Sequence, residues 1–433
     1  MSREVLRGKR VVLGVCGSIA AFKAVAVASA LTQAGALVDV VMTPAATEFI
    51  RPLSFQAITQ RTVSAHMFST LPNAEISHVS LGHHADVVCI APATAHMLAK
   101  LALGLADDLV TTTCLATRAP LVIAPAMDAD MYDHPAVQAN VKILRERGAT
   151  IVEPGVGRMA SGLTGQGRLA EPPVIVDTLR LVLARGGDLA GWRIVVTAGG
   201  TQEAIDPVRY ISNRSSGKMG YAVAEAARDR GASVLLLTMP TALTPPFGVE
   251  VQHVVSAANL YDVVMAALPD ANLLVMAAAV ADYRPSTVAE QKIKKHDDDL
   301  TLHLSKTIDI LAATASLAND QLVRIGFAAE SQHLVKHAAD KLERKRLDLI
   351  VANDISRTDS GFGTDDNAVV LLDRAGAPRE LPLLPKRDVA DRILDEAVAI
   401  RQSRTDETAR VARRAYAKSQ RPSAMRRPTA GAS

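Results

Sequence analysis

Short apolar runs alternate along the first half of the chain with stretches whose apolar residues recur at helical spacing. The run Arg10–Val15 predicts a strand, and residues 19–32 predict the helix that follows it. The same alternation predicts a helix at Ala95–Leu103 and further strands at Leu37–Met42, 87–90 and 121–124. Strands that alternate with helices indicate a parallel sheet covered on both faces. Residues 153–173 break this pattern with many glycines and prolines, and they predict a mobile loop able to cover a site.

A second alternation of this kind begins after Gly186 and Gly187. It predicts a strand at 191–196, a glycine-rich turn at 197–201 and a helix at 221–230, with further strands at 234–237, Leu273–Met276, 323–327 and 349–351. We therefore predict an α/β protein with two doubly wound, Rossmann-like domains that contain parallel sheets, at residues 1–187 and 188–402.

Composition narrows the class of protein further. The length of 433 residues suits two such domains, and 48% hydrophobic with 3% aromatic residues is typical of parallel sheets packed under helices. The longest apolar stretches are far shorter than the roughly 20 residues that a membrane span needs. The three cysteines are scattered, without the paired spacing of a zinc site or a disulfide framework. We expect a cytoplasmic protein without a membrane partner.

Charge distinguishes the end of the chain from its body. The formal net charge is only +3, and much of the basic excess lies after about residue 400. Residues 403–433 therefore predict a frayed helix followed by a disordered basic tail. A nucleic-acid role is the weaker alternative, because no aromatic residue beyond Tyr416 offers a stacking surface. We expect no nucleic-acid partner.

Polar groups gather at the carboxyl edge of the first predicted sheet. Small residues from Gly14 to Ala20 form the first strand-to-helix turn, where backbone amides and the helix dipole can receive a phosphate, although tight packing explains such turns equally well. Thr43 ends the second strand, Ala91-Pro-Ala-Thr-Ala95 ends the third, and Asp108 follows a helix end. Ligands of doubly wound folds bind at this edge.

These segments, with Gly17-Ser-Ile-Ala-Ala-Phe-Lys23, Ile76-Ser-His78, Gly104-Leu-Ala-Asp-Asp-Leu109 and Pro125-Ala-Met-Asp-Ala-Asp-Met131, resemble the homo-oligomeric flavin-containing cysteine decarboxylases. The resemblance implies that FMN is bound and that His78 is the catalytic base. The implied FMN contacts are Gly17, Ser18, Ile19, Thr43, Ala93, Thr94 and Asp108. The implied substrate contacts are Met127, Asp128, Met131 and Arg168.

The flavin explains how such a substrate can lose carbon dioxide. A cysteine-type carboxylate has no electron sink, so a flavin must first withdraw a hydride and convert the thiol into a thioaldehyde. Decarboxylation then leaves an enethiolate, to which the reduced flavin returns the hydride while an acid supplies a proton. His78 is the predicted base for the oxidation.

Two residues depart from the family pattern. Asp128 stands where relatives have asparagine, and an ionised carboxylate there would repel the substrate carboxylate. Ser161 stands in Ala-Ser-Gly where many relatives have a proton-donating cysteine. We favour Ser161 or a bound water as the proton donor, or assistance from a loop residue such as Arg168; the alternative is that the reaction stops at the enethiol.

The second domain opens with a polar loop at residues 199–218 that contains Asn213. It lacks the spacing of a Walker P-loop, but its glycines and serines suit close approach to phosphates. Asp282 follows a buried strand, and Lys292-Ile-Lys294-Lys295 follows in the next loop. One carboxylate for a divalent cation, with lysines to neutralise phosphates, suits nucleotidyl transfer to a carboxylate.

This domain resembles phosphopantothenate-cysteine ligase through Asp206-Pro-Val-Arg209, Asn213-Arg-Ser-Ser-Gly217, residues 277–282, 292–295, 326–330 and 351–354. The resemblance implies that phosphopantothenate attacks CTP to give an acyl-cytidylate, assisted by Lys292, and that Asn213 assists its conversion by cysteine. It also implies Mg²⁺ at Asp282. The implied substrate contacts are Arg209, Ala277, Ala279, Asp282, Lys292, Thr307, Ile308, Asp309, Ile310, Phe327, Lys341 and Lys345. Ile308 replaces a proline of many relatives, and we expect a modest effect on affinity.

Together the resemblances cover about residues 8–400 and imply a bifunctional enzyme of coenzyme A biosynthesis. Its small-molecule partners would be 4'-phosphopantothenate, cysteine, CTP and phosphopantothenoylcysteine, which the first domain would decarboxylate to 4'-phosphopantetheine. The resemblance also implies a homo-oligomer, with trimers of the first domain joined by dimers of the second. The alternatives are an active ligase whose flavoprotein domain stops at the oxidised enethiol or serves only as an oligomeric scaffold.

Overall fold

The chain divides into two compact units. The computed structural model describes residues 5–65, 67, 77–294, 300–317, 321–330, 333–354, 361 and 363–419. The N-terminal unit consists of Met1–Gly191, Arg228–Ala232 and Pro246–Val249, and the C-terminal unit consists of Trp192–Ala227, Ser233–Pro245 and Glu250–Ser433. Within the described ranges, no helix is both long and apolar enough to cross a bilayer.

A parallel sheet forms the centre of the N-terminal unit. Its strands are β1 (Arg10–Val15), β2 (Leu37–Met42), β3 (Val87–Ala93), β4 (Leu121–Pro125) and β5 (Thr150–Ile151). The helices are α1 (Ala21–Gln33), α2 (Pro52–Thr59), α3 (Ser77–His84), α4 (Ala95–Leu103), α5 (Leu109–Ala116), α6 (Ala129–Asp133), α7 (Pro135–Glu146) and α8 (Pro172–Ala184), with a 3-10 helix at Pro44–Glu48. The strand order β2-β1-β3-β4-β5 is that of flavodoxin-like doubly wound sheets.

The central strand β1 shows why the apolar runs of this sequence are continuous rather than alternating. Val11, Leu13 and Val15 lie in one buried cluster with residues of α1 and α8. Val12 lies in a second buried cluster with residues of α4, α5 and α7. Both faces of the sheet are therefore covered, and each fully buried valine or leucine contributes about 1.5–3 kcal/mol.

The predicted covering loop at residues 153–173 is instead a β-hairpin for much of its length. Its antiparallel strands are β6 (Gly155–Arg158) and β7 (Thr164–Arg168). The prediction of a loop missed these two strands, because glycines replace the alternating apolar residues that mark most strands. Two of them permit contact with the start of α6: a Cβ at Gly165 would lie 2.7 Å from Cβ of Ala129, and one at Gly167 would lie 2.4 Å from the Met127 carbonyl oxygen.

The C-terminal unit contains a larger sheet. The strands of this unit are β8 (Arg193–Ala198), β9 (Gln202–Ala204), β10 (Tyr210–Ser212), β11 (Ser233–Thr238), β12 (Glu250–His253), β13 (Leu273–Met276), β14 (Tyr283–Pro285), β15 (Leu304–Lys306), β16 (Val323–Glu330), β17 (Leu349–Asp354), β18 (Asp366–Asp373) and β19 (Arg379–Pro385). The helices are α9 (Lys218–Asp229), α10 (Ala257–Ala267), α11 (Ile310–Ala313), α12 (Leu334–Arg344) and α13 (Lys386–Ser419), with 3-10 helices at Leu268–Asp270 and Thr314–Leu317.

The main sheet has the order β12-β11-β8-β13-β16-β17-β18-β19, and β9–β10 and β14–β15 form separate antiparallel pairs. The strands from β12 to β17 are parallel, as the sequence predicts, and the doubly wound architecture is confirmed. The sequence analysis did not predict the last two strands, β18 and β19, which pair antiparallel at the edge.

The last helix extends into residues 403–433, the segment that the sequence predicts as a frayed helix followed by a basic tail. Helix α13 continues to Ser419, and residues 420–433 of the predicted basic tail lie outside the described residues. Two residues of the quoted motifs, Ile76 and Lys295, also lie outside them.

Candidate active sites

The first loop of the N-terminal unit requires glycine at its beginning. A Cβ at Gly17 would lie 2.6 Å from Cβ of Ala45 and 2.9 Å from the carbonyl oxygen of that residue. The hydroxyl of Ser18 accepts a hydrogen bond from the Ala20 amide at 3.2 Å, and Ile19 is 65% exposed. The loop after β1 therefore touches the segment after β2 and presents an exposed apolar side chain beside it.

Three of the predicted flavin contacts are helix N-caps. Thr43 accepts from the Ala46 amide and Thr94 from the Met97 amide, both at 3.2 Å, and each hydroxyl still has a hydrogen to donate. Asp108 accepts from the Thr111 amide at 2.9 Å in a capping box at the start of α5. Ala93 is buried at the end of β3, directly before Thr94. These residues fix the ends of the strands and the entry of the helices at the predicted site.

Lys100 holds the turn that contains Asp108. Its ammonium lies 2.7 Å from the Asp107 carboxylate and 3.0 Å from that of Asp108. Burial lowers the pKa of Lys100, but the hydrogen bonds and charges of the two carboxylates outweigh this effect, and the pKa is raised above its ordinary value. Asp108 thus caps a helix and pairs with a lysine, whatever contact it makes with a cofactor.

His78 differs from the two other histidines of α3. Its side chain is half-buried, and within the described residues its Nδ1 atom is buried without a hydrogen-bond partner. By contrast, His83 and His84 are exposed, and Nδ1 of His84 lies 2.8 Å from the Ser80 carbonyl oxygen. A buried polar atom normally has a partner, so His78 is suited to a bound ligand. Together with the glycine-requiring loop after β1, this orphaned nitrogen fits a flavin and its substrate.

The two departures from the family pattern contact each other. The Ser161 hydroxyl, at the tip of the β6–β7 hairpin, donates a hydrogen bond to the Asp128 carboxylate. Asp128 also caps α6 by accepting from the Asp130 amide at 3.2 Å, and the Met127 amide donates to the Gly167 carbonyl at 3.0 Å. The hairpin is therefore joined to the segment that carries the predicted substrate contacts.

The other two predicted substrate contacts of this unit lie at its surface. Met131 is 50% exposed on α6. Arg168, at the end of β7, lies across the opposite strand of the hairpin, because a Cβ at Gly157 would be 2.8 Å from its Nη1 atom.

One cavity of about 1050 Å³ in the C-terminal unit gathers most of the residues predicted there. Its lining includes Asn213, Ala277, Ala279, Asp282, Thr307, Ile308, Asp309, Ile310, Phe327, Lys341 and Lys345. Arg209 and Lys292 are not among the lining residues. The lining also contains Lys218 and Asn353, which lie in the motifs quoted from the sequence, and three polar residues that the sequence analysis missed, namely Lys306, Asn367 and Lys386. Some of these could have been found from their places at strand and helix ends.

Asn213 is held at the cavity by two close contacts. Its side-chain amide nitrogen donates to the Val280 carbonyl at 3.0 Å, which leaves its side-chain oxygen as an acceptor. A Cβ at Gly200 would lie 2.5 Å from the main-chain oxygen of Asn213, so glycine is required for this approach. The segment beyond Val280 is fixed in turn, since the Ala281 amide donates to the Thr201 hydroxyl at 2.9 Å.

Four lysines bring positive charge to the cavity and have identified partners. Lys341 donates to the Phe327 carbonyl at 2.7 Å, and Lys345 pairs with Asp309 at 3.1 Å. Lys218 pairs with Asp365 at 2.8 Å. Lys386 is buried and donates to the Gly361 carbonyl at 3.0 Å. Burial lowers the pKa of Lys386, and the nearby charge of Lys218 adds to this effect.

Asp282 is the predicted metal ligand, and it lines the cavity with an exposed side chain. In the part of the chain that the structure describes, no group of three or more His, Cys, Asp or Glu residues could hold a metal ion. Magnesium in nucleotide sites commonly uses one or two carboxylates with phosphates and water. A single carboxylate facing a nucleotide-sized cavity therefore fits such an ion.

Arg209 lies in a separate contact with Asp206. Its Nε atom donates to Oδ2 of Asp206 at 2.9 Å, and its Nη2 atom donates to the Ile293 carbonyl at 2.9 Å. The backbone of Ile293 thus connects this pair to the segment that carries Lys292. Lys292 itself is exposed.

Comparisons with known proteins agree with this division of the chain. The family model described as Flavoprotein matches residues 1–183, and the model described as DNA/pantothenate metabolism flavoprotein C-terminal domain matches residues 189–400. The coenzyme A biosynthesis bifunctional protein CoaBC of Bacillus subtilis (strain 168) is 45% identical over 399 residues, which cover 92% of this chain and 98% of the relative.

The CoaBC protein of Escherichia coli (strain K12) is also 45% identical, over 397 residues that cover 91% of this chain and 97% of the relative. The crystal structure of the C-terminal domain of a CoaBC protein is 39% identical and covers 50% of this chain and 98% of that chain, with a TM-score of 0.43. The chain therefore belongs to the family of bifunctional coenzyme A biosynthesis enzymes, in which a flavoprotein decarboxylase domain precedes a ligase domain.

Proposed function

We propose that the C-terminal domain joins cysteine to 4'-phosphopantothenate with CTP, and that the N-terminal domain decarboxylates the product to 4'-phosphopantetheine with FMN. The observation that carries the ligase half is the cavity of about 1050 Å³, around which nearly all the predicted nucleotide contacts lie. The match to the flavoprotein model over residues 1–183 supports the decarboxylase half. The names of the bifunctional relatives favour this function over an enethiol-forming flavoprotein and over a scaffold.

The ligase reaction has two displacements. The substrate carboxylate attacks the α-phosphate of CTP, which forms the acyl-cytidylate and releases pyrophosphate; the cysteine amine then attacks the acyl carbon and releases CMP. Lys341 and Lys345 at the cavity would neutralise phosphate charge, and Asp282 would bind Mg²⁺ with the phosphates. Asn213, oriented by the Val280 carbonyl, would direct its free oxygen at the attacking amine. Lys292 would assist formation of the acyl-cytidylate, and Arg209 would contact phosphopantothenate.

The decarboxylase half depends on His78 as a base. FMN, when bound, supplies the two-electron acceptor that this decarboxylation needs. The half-buried position of His78 and its unpaired Nδ1 atom in the described residues support a role in taking a proton from the substrate. Gly17, Ser18 and Ile19, with the N-cap residues Thr43 and Thr94, would hold the cofactor, and Ala93 and Asp108 would complete its surroundings.

The proton that completes the final reduction requires a donor other than a cysteine thiol. We assign it to Ser161 or to a water held by Ser161, because the hairpin brings this hydroxyl to the Asp128 carboxylate. Asp128 would orient the hydroxyl, and Met127 and Met131 would contact the substrate. Arg168 is the weaker candidate, since its side chain lies along Gly157 of its own hairpin.

We further propose the organisation of the molecule in the cell. The decarboxylase domain spans residues 1–187, the ligase domain spans 188–402, and residues 403–433 form a basic tail. The protein would be cytoplasmic and homo-oligomeric, with trimers of the first domain joined by dimers of the second. Large apolar side chains exposed in the N-terminal unit, such as Ile19 and Phe22, support association through this region.

The deciding experiment is anaerobic incubation of the FMN-loaded protein with phosphopantothenate, cysteine, CTP and magnesium, followed by mass spectrometry. Accumulation of phosphopantetheine is the expected result. A product two hydrogens lighter with bleached flavin would overturn the proposed reduction step. If phosphopantothenoylcysteine were the only product, the protein would have ligase activity without decarboxylase activity. Omission of CTP should prevent the formation of every product.

A further inference from the structure

The segment that contains Lys292 is hydrogen-bonded to the turn at residues 205–209, which lies more than eighty residues earlier in the sequence. The Ala289 amide donates to the Ile205 carbonyl at 3.0 Å. The Ile293 amide donates to Oδ2 of Asp206 at 3.1 Å, and Arg209 donates to the Ile293 carbonyl at 2.9 Å. Both backbone groups of the residue next to Lys292 are therefore bound by the Asp206–Arg209 pair.

Asp206 is the centre of these contacts. Its carboxylate is buried and accepts hydrogen bonds from the Val208 and Arg209 amides, each at 2.8 Å, in addition to the Ile293 amide. The Arg209 guanidinium and these amides hold the pKa of Asp206 well below its ordinary value. The carboxylate is thus ionised at physiological pH, and its orientation is fixed by the turn to which it belongs.

The same segment begins and ends at the cavity. Strand β14 follows Asp282 and strand β15 precedes Thr307, and the Thr307 amide donates to the Asp282 carbonyl at 2.9 Å. Near the strand ends, the Ser286 amide donates to the His303 carbonyl at 2.9 Å. Beyond Ser286, residues 287–294 form a loop that the Asp206 turn holds at Ala289 and Ile293.

We propose that Asp206 is a positioning residue for Lys292, which it holds through the backbone of Ile293 so that the lysine meets the reacting phosphate. The inference rests on the proposed role of Lys292 in forming the acyl-cytidylate. A displacement of about 1 Å in a reacting group can cost about 10²-fold in rate. Lys292 is exposed on a loop, so its location depends on how the backbone is held.

The test measures pyrophosphate release during turnover of CTP, phosphopantothenate and cysteine by the full-length, FMN-loaded protein. Asp206→Asn keeps the side-chain size but removes the charge that pairs with Arg209 and one acceptor. We expect kcat to fall about 10- to 100-fold while KM for CTP changes less than twofold, because the cavity lining is retained. Asp262→Asn, an exposed aspartate of α10, is the matched control, and decarboxylation of supplied phosphopantothenoylcysteine should be unchanged in both variants.

A double-mutant cycle with Lys292→Gln separates positioning from general support of the fold. If Asp206 acts through Lys292, Asp206→Asn causes no further loss in the Lys292→Gln background. If the double variant lost kcat by the product of the two single losses, the inference would be overturned. A normal kcat in Asp206→Asn would also overturn it. A wild-type protein that releases no pyrophosphate would instead overturn the proposed ligase function.

A second pair of variants tests the contact if Asp206→Asn fails to fold. Ile293→Pro removes the amide that donates to Asp206, whereas Ile293→Ala keeps it. We expect the proline variant to reproduce the loss of kcat and to increase hydrogen exchange in the peptide 286–294, and the alanine variant to resemble the wild type. Equal rates in the two variants would contradict the inference.

Discussion

The two candidate sites are built in different ways. Around the C-terminal cavity, side chains from several strands and loops of one chain converge on about 1050 Å³ of space. In the N-terminal unit, the predicted residues lie in successive loops at one sheet edge, where Ile19 and Met131 are 65% and 50% exposed. Residues from several elements of the C-terminal unit thus line one cavity, while the predicted flavin site presents exposed apolar side chains.

This difference shows which kind of residue fixes each site. In the C-terminal unit, backbone carbonyls such as those of Phe327 and Val280 orient the functional side chains. In the N-terminal unit, side-chain caps such as Thr94 fix the helix entries, and the Ser161–Asp128 contact adds to the backbone hydrogen bond that joins the hairpin to Met127. Variants that act on one site and spare the other provide the test of this contrast.

The largest effect is expected for His78→Asn. Loss of a general base commonly costs 10²- to 10⁴-fold in rate, so we expect a decrease of about this size in decarboxylation, with phosphopantothenoylcysteine accumulating. Pyrophosphate release by the ligase should stay within about twofold of the wild type, because the variant leaves the cavity intact. The exposed His83→Asn is the matched control. Normal phosphopantetheine production by His78→Asn would remove His78 from the mechanism.

A smaller loss is expected for Gly200→Ala in the ligase. The added Cβ would lie 2.5 Å from the main-chain oxygen of Asn213, so the loop must move, and we expect ligation to slow about 10²-fold. Quenching the reaction and measuring phosphopantothenoylcysteine gives the rate. Gly186→Ala is the control, since a Cβ there meets no atom within 4 Å. A ligation rate equal to that of this control would mean that the approach to Asn213 is unimportant.

A weaker coupling is expected between Ser161 and Asp128. Residues that share a hydrogen bond commonly show an interaction free energy of 0.5–3 kcal/mol, so a cycle of Ser161→Ala and Asp128→Ala should give at least about 0.5 kcal/mol from decarboxylation rates. The exposed Asp133 of α6, changed to alanine with Ser161→Ala, should give additive effects. Additivity in the first cycle would show that the hairpin contact does not serve the reaction.

The smallest effect is expected for the ion pair between Asp309 and Lys345 at the cavity. Burial raises the pKa of Asp309, but the Ala312 amide and Lys345 outweigh it and lower that pKa overall. Asp309→Asn should lower the free energy of unfolding of the C-terminal unit by only about 0.5 kcal/mol at pH 7, because the Asp309 side chain is about half exposed and asparagine also caps helices well.

The pKa of Asp309 is lower in the folded state than in the unfolded state, and this determines how the free energy of unfolding changes with pH. The contribution of Asp309 is complete above its unfolded-state pKa of about 3.9 and is lost as the pH falls through the lower folded-state value. Denaturation followed by the fluorescence of Trp192, the single tryptophan, should therefore show the two proteins converging below pH 4. A difference that grew on acidification would contradict this sign.

The central strands could be predicted from sequence because they are buried on both faces. Arg10–Val15 and Leu273–Met276 have the predicted bounds, because the residues along each of these inner strands are mostly buried and apolar. The β6–β7 hairpin could not be predicted in the same way, because it pairs only with itself and its glycines serve contacts with Met127 and Ala129.

Residues that line the cavity could be predicted where they belong to a motif in the sequence. Contacts in which one partner is a backbone atom could not be predicted. The cavity lining from Thr307 to Ile310 follows from the ligase motifs. The link between Asp206 and Ile293 has no signal in the sequence, because the acceptor meets an amide that every residue except proline possesses. Likewise, Asp128 and Ser161 could be identified as unusual, but their mutual contact required the fold.

The backbone character of the link at Ile293 has a consequence for how this enzyme can vary during evolution. Its amide and carbonyl are bound by Asp206 and Arg209, while its side chain takes no part in the contact. The contact itself therefore requires no particular side chain at residue 293, although proline would remove the amide. Selection would instead act on the distant turn, so the residues that preserve ligase activity need not be neighbours of the lysine in sequence.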